Sequence, residues 1–222
     1  TAEDLAAKAT IQANIKKLEA EKAALSAVEA LLEQDREDIR WLRYDKAYDK
    51  LKKAAALAAS FGADARIIKD STAYELMEIA FFQHHTGHAA LARESFNLAV
   101  GLLGKPLLSG KTNFDAALQG LNGDRYDFIK RRYVFDPVPL KGGSYKMQDS
   151  IETTVQDFKM ARTETTVLQY NLFCADMGHY ITQRCRTNGT LVMDTRYQPS
   201  FGWIGDYPIV FVNWYHAVEY AN

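Results

Sequence analysis

The first glycine of this chain is Gly62 and the first proline is Pro106. A run that long without either breaker, rich in Ala, Leu, Lys and Glu, has one favourable backbone state, the α-helix. The apolar residues agree. Leu5, Ile11, Ile15, Leu18, Leu25, Val28 and Leu32 recur at threes, fours and sevens, which places them on one helical face. Residues 3 to about 58 therefore read as helix throughout. Up to Glu33 the stripe is narrow, with many Lys and Glu between its members. Two readings fit it: a coiled-coil or helical-hairpin arm, and the first helix of a packed bundle. From Arg36 to Leu57, Trp41, Tyr44, Ala47, Leu51 and Ala54 share one face. Lys46, Lys50, Lys52 and Lys53 fall mostly on the other, as on a solvated surface.

Ser60-Phe61-Gly62-Ala63-Asp64 breaks the run, and a second helix pair follows. Leu76, Ile79, Ala80, Gly87, Ala92, Phe96 and Ala99 resemble one tetratricopeptide repeat. Each position has a physical task. Ala80 and Ala92 let two helices approach closely, Gly87 makes the tight turn between them, and Phe96 and Ala99 pack against the next helix. Tyr44, Ala47, Leu51 and Ala54 look like the second helix of an earlier copy. Ala47 and Ala92 are not one repeat period apart, so the region is tetratricopeptide-like rather than a regular array. Gly104-Lys105-Pro106 ends the pair. A short helix is predicted at Asn113 to Leu121, and one or two helical turns over Asp124 to Arg132. Gly110-Lys111-Thr112 has the ending of a phosphate-binding loop. Gly104 lies one residue too far back and no apolar strand precedes it, so nucleotide binding is not expected there.

Composition excludes some classes of function. With 27 basic and 28 acidic residues the net charge is -1, which offers no electrostatic basis for nucleic-acid binding. No apolar run is long enough to span a membrane. The expected location is cytoplasmic, or exported if a signal peptide was removed before Thr1. The two cysteines, Cys174 and Cys185, fit neither a redox nor a zinc spacing. Cys174 lies in the apolar stretch Tyr170-Asn171-Leu172-Phe173-Cys174 and reads as a small buried hydrophobe.

Asp136-Pro137-Val138-Pro139 marks a boundary, since two prolines oppose both helix and central strand. The expected domains are a helical region over 1–135 and a second unit over 136–222, with the break between Tyr133 and Gly142. Beyond it the period shortens. Ser144 to Met147, Thr153 to Met160 and Pro208 to Val212 read as strands. Thr166 to Met177 reads as a helix capped at Thr165 or Thr166, and Tyr215 to Ala221 as another. Thr187-Asn188-Gly189-Thr190 is a candidate hairpin turn.

Two segments of this second unit carry a further resemblance. The first runs Gly142-Gly143-Ser144-Tyr145-Lys146-Met147, then Gln156-Asp157-Phe158-Lys159-Met160, Glu164-Thr165-Thr166 and Gln169-Tyr170. The second is Tyr207-Pro208-Ile209-Val210-Phe211-Val212-Asn213-Trp214-Tyr215-His216-Ala217-Val218-Glu219-Tyr220. In order and spacing they resemble the opening third of the formylglycine-generating enzyme, or sulfatase-modifying factor, family. The resemblance implies an α+β chain: tetratricopeptide-like helical hairpins, then the N-terminal part of a domain of the C-type lectin architecture.

The family includes copper oxidases that convert a sulfatase cysteine to formylglycine. It also includes structural proteins of bacterial gliding and secretion machines, and ligand-display proteins. The resemblance places the copper-binding cysteine pair beyond Asn222. No catalytic, cofactor-binding or metal residue is therefore assigned within the chain, and copper enters only if the whole domain is an active oxidase. The residues that map onto the family motif are scaffold: Met147, Phe158, Glu164, Thr166, Tyr170, Pro208, Trp214, Ala217 and Tyr220. Glu164 and Thr166 are read as the cap of the following helix, and Trp214 as a buried core residue. Gln148 and His216 depart from the pattern, standing where Gly and an acidic residue are usual.

Some iron-dependent sulfoxide synthases of related architecture carry a histidine-ligated helical domain. His84, His85 and His88 invite that comparison. However, Ala89 and Ala90 follow where the signature needs Glu, so no metal is expected. The expected function is that of a binding, scaffold or effector-module protein, with a protein partner on the helical half. The alternative is a copper-dependent formylglycine-generating oxidase.

Overall fold

The computed structural model describes residues 2–41, 43–62, 65–106, 113–134, 137–146, 152–176, 204–210, 212 and 214–222. The readings placed on Cys185, Met147, Gln148, Phe211, Asn213, the Gly110-Lys111-Thr112 segment and the Thr187–Thr190 turn lie outside them. The chain divides into two compact units, Thr1–Asp127 and Phe128–Asn222. It is mostly helical, with a few short antiparallel strands.

The first unit is built from α1 (Ala2–Arg40), α2 (Tyr44–Ala59), α3 (Arg66–His85), α4 (Ala89–Leu103) and α5 (Phe114–Leu121). A further helix, α6 (Gly123–Tyr133), runs across the division. The continuous helix expected over residues 3 to 58 is in fact two helices. Neither Gly nor Pro marks the reversal at Trp41–Arg43, so propensity could not reveal it. Its cause is an interaction across the turn. The Arg43 N–H donates to the Asp38 carbonyl at 2.8 Å. The Asp38 carboxylate, itself buried, takes Arg43 Nε at 2.7 Å and Lys50 Nζ from α2. Trp41 therefore does not join the buried face of Tyr44, Ala47, Leu51 and Ala54. It sits exposed at the turn, with its indole N–H on Glu37. Of the lysine run, Lys46, Lys52 and Lys53 are exposed, Lys52 pairing across the surface with Glu94 of α4 at 3.0 Å, and Lys50 is half-buried against Asp38.

Helix α3 is the centre of this unit. Every residue from Glu75 to Gln83 is buried, as expected of a helix covered on all sides. Leu76, Ile79 and Ala80 of α3 and Ala92 and Ala99 of α4 are fully buried, and the two helices pack on each other. Tyr44 stacks on Phe82 with ring centroids 3.4 Å apart, and Phe96 meets Phe114 of α5 at 5.7 Å. Gly87 makes the α3–α4 turn with φ at +83°, a conformation that strains any residue bearing a Cβ. Asn113 caps α5 by accepting the Ala116 N–H at 2.7 Å.

In the second unit, β1 (Val138–Leu140) pairs with β4 (Phe158–Met160), and β2 (Gly143–Lys146) pairs with β3 (Glu152–Val155). Both ladders are antiparallel and keep one register from Val138↔Met160 to Lys146↔Glu152. They are two stretches of a single hairpin, interrupted at Lys141–Gly142 and Gln156–Asp157. One strand was not foreseen, and one expectation needs correction. Val138–Leu140 is a strand despite Pro139, because a two-stranded ladder leaves an outer edge where proline's missing N–H costs nothing. Pro208 to Val212 is not a strand among its described residues. Pro208 makes an isolated antiparallel bridge with Thr166, and the segment spends its polar groups on a helix start instead. That helix is α7 (Val167–Asp176), and α8 (Trp214–Ala221) follows.

Candidate functional site

The two motif segments meet at the start of α7. The first amides of a helix have no partner within it. Here the Val167 N–H donates to the Tyr207 carbonyl at 2.8 Å, and the Leu168 N–H to the Gly205 carbonyl at 2.9 Å. The Ile209 N–H returns a bond to the Thr165 carbonyl at 2.8 Å. Thr166 completes the cap. Its hydroxyl accepts the Gln169 N–H at 3.2 Å, while the Gln169 side chain accepts the Thr166 N–H at 3.0 Å. This reciprocal pair is a capping box built from Thr-x-x-Gln. Asp206 is held from α6 by both Arg132 Nε and its terminal nitrogen, at 3.0 and 2.9 Å.

Below the cap lies a small core. Tyr170 and Cys174 of α7 are buried, with Phe173, Ile209, Val212 and Tyr220 packed on them. Tyr220 of α8 approaches Tyr170 at 5.8 Å and Phe173 edge-on at 5.2 Å. Burial raises its hydroxyl pKa. At the hairpin, the Asp157 carboxylate accepts the Gly142 N–H at 3.0 Å and takes Lys141 Nζ at 2.7 Å. These contacts, the lysine first, hold its pKa below the usual carboxylate range. Gly142 has no room for a side chain, since a Cβ would lie 2.0 Å from the Val155 carbonyl oxygen.

Residues 129–222 carry a sulfatase-modifying factor enzyme 1-like domain. The motif segments, the hairpin glycine and the capped helix all fall inside the matched stretch. No curated protein and no solved structure matches the chain.

Within this sulfatase-modifying factor domain, the mapped residues divide by role. Thr166, Tyr170, Pro208 and Tyr220 join the two motif segments as just described. Glu164 is exposed before the cap. Phe158 lies half-exposed on the hairpin. Trp214, expected in the core, is 71 % exposed and touches the neighbouring Tyr215 ring at 5.3 Å. The correction follows from helix geometry. Six residues at about 100° each put Trp214 some 120° around α8 from Tyr220, and Tyr220 is the side chain that reaches α7.

Of the histidines of the first unit, His84 and His85 lie edge to face at 5.1 Å at the end of α3, and His88 lies beyond the turn. His84 stacks on Phe114 at 4.5 Å, and burial lowers its pKa. His85 Nε2 lies 3.1 Å from Asp115 Oδ1. His88, beyond Gly87 and outside the helix that holds His84, contacts the Thr86 hydroxyl through Nδ1 at 3.0 Å. Among the described residues no group of three or more His, Cys, Asp or Glu could hold a metal ion.

Sequence reading missed one constellation, a set of buried charges between α1, α3 and α6. Glu75 accepts Arg36 Nε at 3.0 Å, and Arg125 bridges Glu75 and Glu78 at 3.3 and 3.0 Å. Beside them Asp35 is 0 % exposed, and neither carboxylate oxygen has a hydrogen-bond partner among the described residues. Burial, followed by the negative charges of Glu75 and Glu78, pushes its pKa up to about 9. Asp35 is thus a neutral acid at pH 7. The signal was present in the sequence, since Asp35 falls seven residues after Val28 and three after Leu32, on the apolar face.

Proposed function

We propose that this chain belongs to a binding or scaffold protein. Residues 1–135 act as a tetratricopeptide-like helical region for a protein partner. Residues 136–222 form the N-terminal part of a C-type-lectin-like display or interaction module. The observation that carries the reading is what the polar groups are used for. The motif's threonine and glutamine form a helix cap, its aspartate ties down a hairpin glycine, and the three histidines are engaged locally with Phe114, Asp115 and Thr86. Stacked helical hairpins with a tight Gly87 turn are the architecture that repeat proteins use to offer extended binding surfaces.

A second reading is favoured by the family match at 129–222. It makes the protein a copper-dependent oxidase of sulfatase cysteines, whose two copper-binding cysteines lie beyond residue 222. In-cell chemical cross-linking of the natural protein, followed by mass spectrometry, tests the partner assignment. The binding reading expects cross-links from residues 1–135 to a different protein. Cross-links confined to 136–222, with the helical half making none, would overturn it.

A further inference from the structure

Helix α1 changes character along its length. From Val28 to Ile39 its apolar face is covered by α2 and α3, with Val28, Leu32 and Ile39 buried. Among the residues whose side chains are described, every one from Ala7 to Ala23 is exposed. Yet apolar residues of the same seam recur through this stretch as Ile11, Ile15, Leu18 and Leu25, which are 57 %, 52 %, 68 % and 36 % exposed. A helical arm gains most of its stability by covering such a seam. The seam follows the heptad frame of Leu32 and Ile39, with Lys8 and Lys22 at the intervening core positions.

We propose that the arm pairs antiparallel with the arm of a second copy of this chain. Charge selects the orientation. A parallel pair in register would stack Lys8 on Lys8 and Lys22 on Lys22 in the core. An antiparallel pair sets Ile15 against Leu18 of the other copy, Ile11 against Lys22, and Lys8 against Leu25. The lysine stems then cover apolar neighbours while their ammonium groups reach water. Lys8 lies between Glu21 and Glu29 of the other copy, one helical turn to either side. All three side chains are exposed and available. The apolar overlap ends at Leu25, with the exposed Glu29 flanking it, and the chain's own helices cover the apolar face from Val28 onward. This inference is independent of the display reading.

Sedimentation equilibrium on the intact chain, combined with zero-length carbodiimide cross-linking, tests it. Within one helix Lys8 lies ~20 Å from Glu21 and ~30 Å from Glu29, so either cross-link must join two chains. The expected result is a mass near twice 25.0 kDa, with Lys8–Glu21 or Lys8–Glu29 cross-links. Leu18→Glu should return the mass to that of one chain with the unfolding midpoint of the bundle unchanged. A single-chain mass for the unaltered protein at tens of micromolar would overturn the proposal. So would a dimer that survives Leu18→Glu or lacks both cross-links.

Discussion

Gly142 and Gly143 stand side by side in the motif, but only one is irreplaceable. A Cβ at Gly142 would strike the Val155 carbonyl, whereas a Cβ at Gly143 meets nothing within 4 Å. Gly142→Ala should destabilise the hairpin by roughly 1–3 kcal/mol and Gly143→Ala by less than about 0.5 kcal/mol. Amide exchange of the β1–β4 hairpin separates the two. Trp214→Ala should be nearly as mild as Gly143→Ala, because an exposed ring has little burial to lose.

Asp35 makes the opposite kind of residue-scale prediction, one in which a change improves the fold. Its native pKa lies near 9, above the ordinary aspartate value of 3.8, so between those values the folded state holds a proton that the unfolded chain has released. Stability from this group is complete below about pH 4 and is lost as pH rises toward 9, by at most about 1.4 kcal/mol per pH unit. Asp35→Asn keeps the shape and removes the titration. Its unfolding free energy should exceed the parent's at pH 8 and converge with it near pH 4. A difference that stays flat with pH would show that Asp35 is charged in the native state.

At the scale of elements, the α7 start and the α3–α4 turn show what local sequence could specify. Thr166→Ala removes one half of the capping box and should cost about 1 kcal/mol, read from the urea midpoint of the second unit. Gly87→Val forces a β-branched residue into positive φ, a strain of about 1–3 kcal/mol, which should lower the melting temperature of the helical unit. Both features were legible in advance because each is satisfied within a few residues: Thr-x-x-Gln before an apolar run, and Gly between two amphipathic helices. The α1–α2 turn was not legible, because no local breaker marks it. Arg43 and Lys50 fix it through the carboxylate of Asp38. The Pro208 segment misled for a related reason. Its β-like composition serves single bonds to the α7 start rather than a ladder. Likewise, the motif placed Trp214 just before a helix, whereas it is the first residue of α8, and the motif did not show which face of α8 would meet Tyr170.

At the scale of the whole molecule, a helical unit is joined to a sulfatase-modifying factor enzyme 1-like domain in one chain. Within it, Thr166 and Gln169 cap α7 and Asp157 holds the hairpin at Gly142. The proposed function has the protein act by binding, and thiol oxidation by the complete family domain is the competing reading. The most direct measurement incubates the full natural protein with copper, oxygen and a sulfatase-type cysteine peptide, and follows the peptide by mass spectrometry. The account predicts that the cysteine remains a thiol or an ordinary disulfide. Copper-dependent conversion of that cysteine to the aldehyde of formylglycine would contradict it and establish the oxidase.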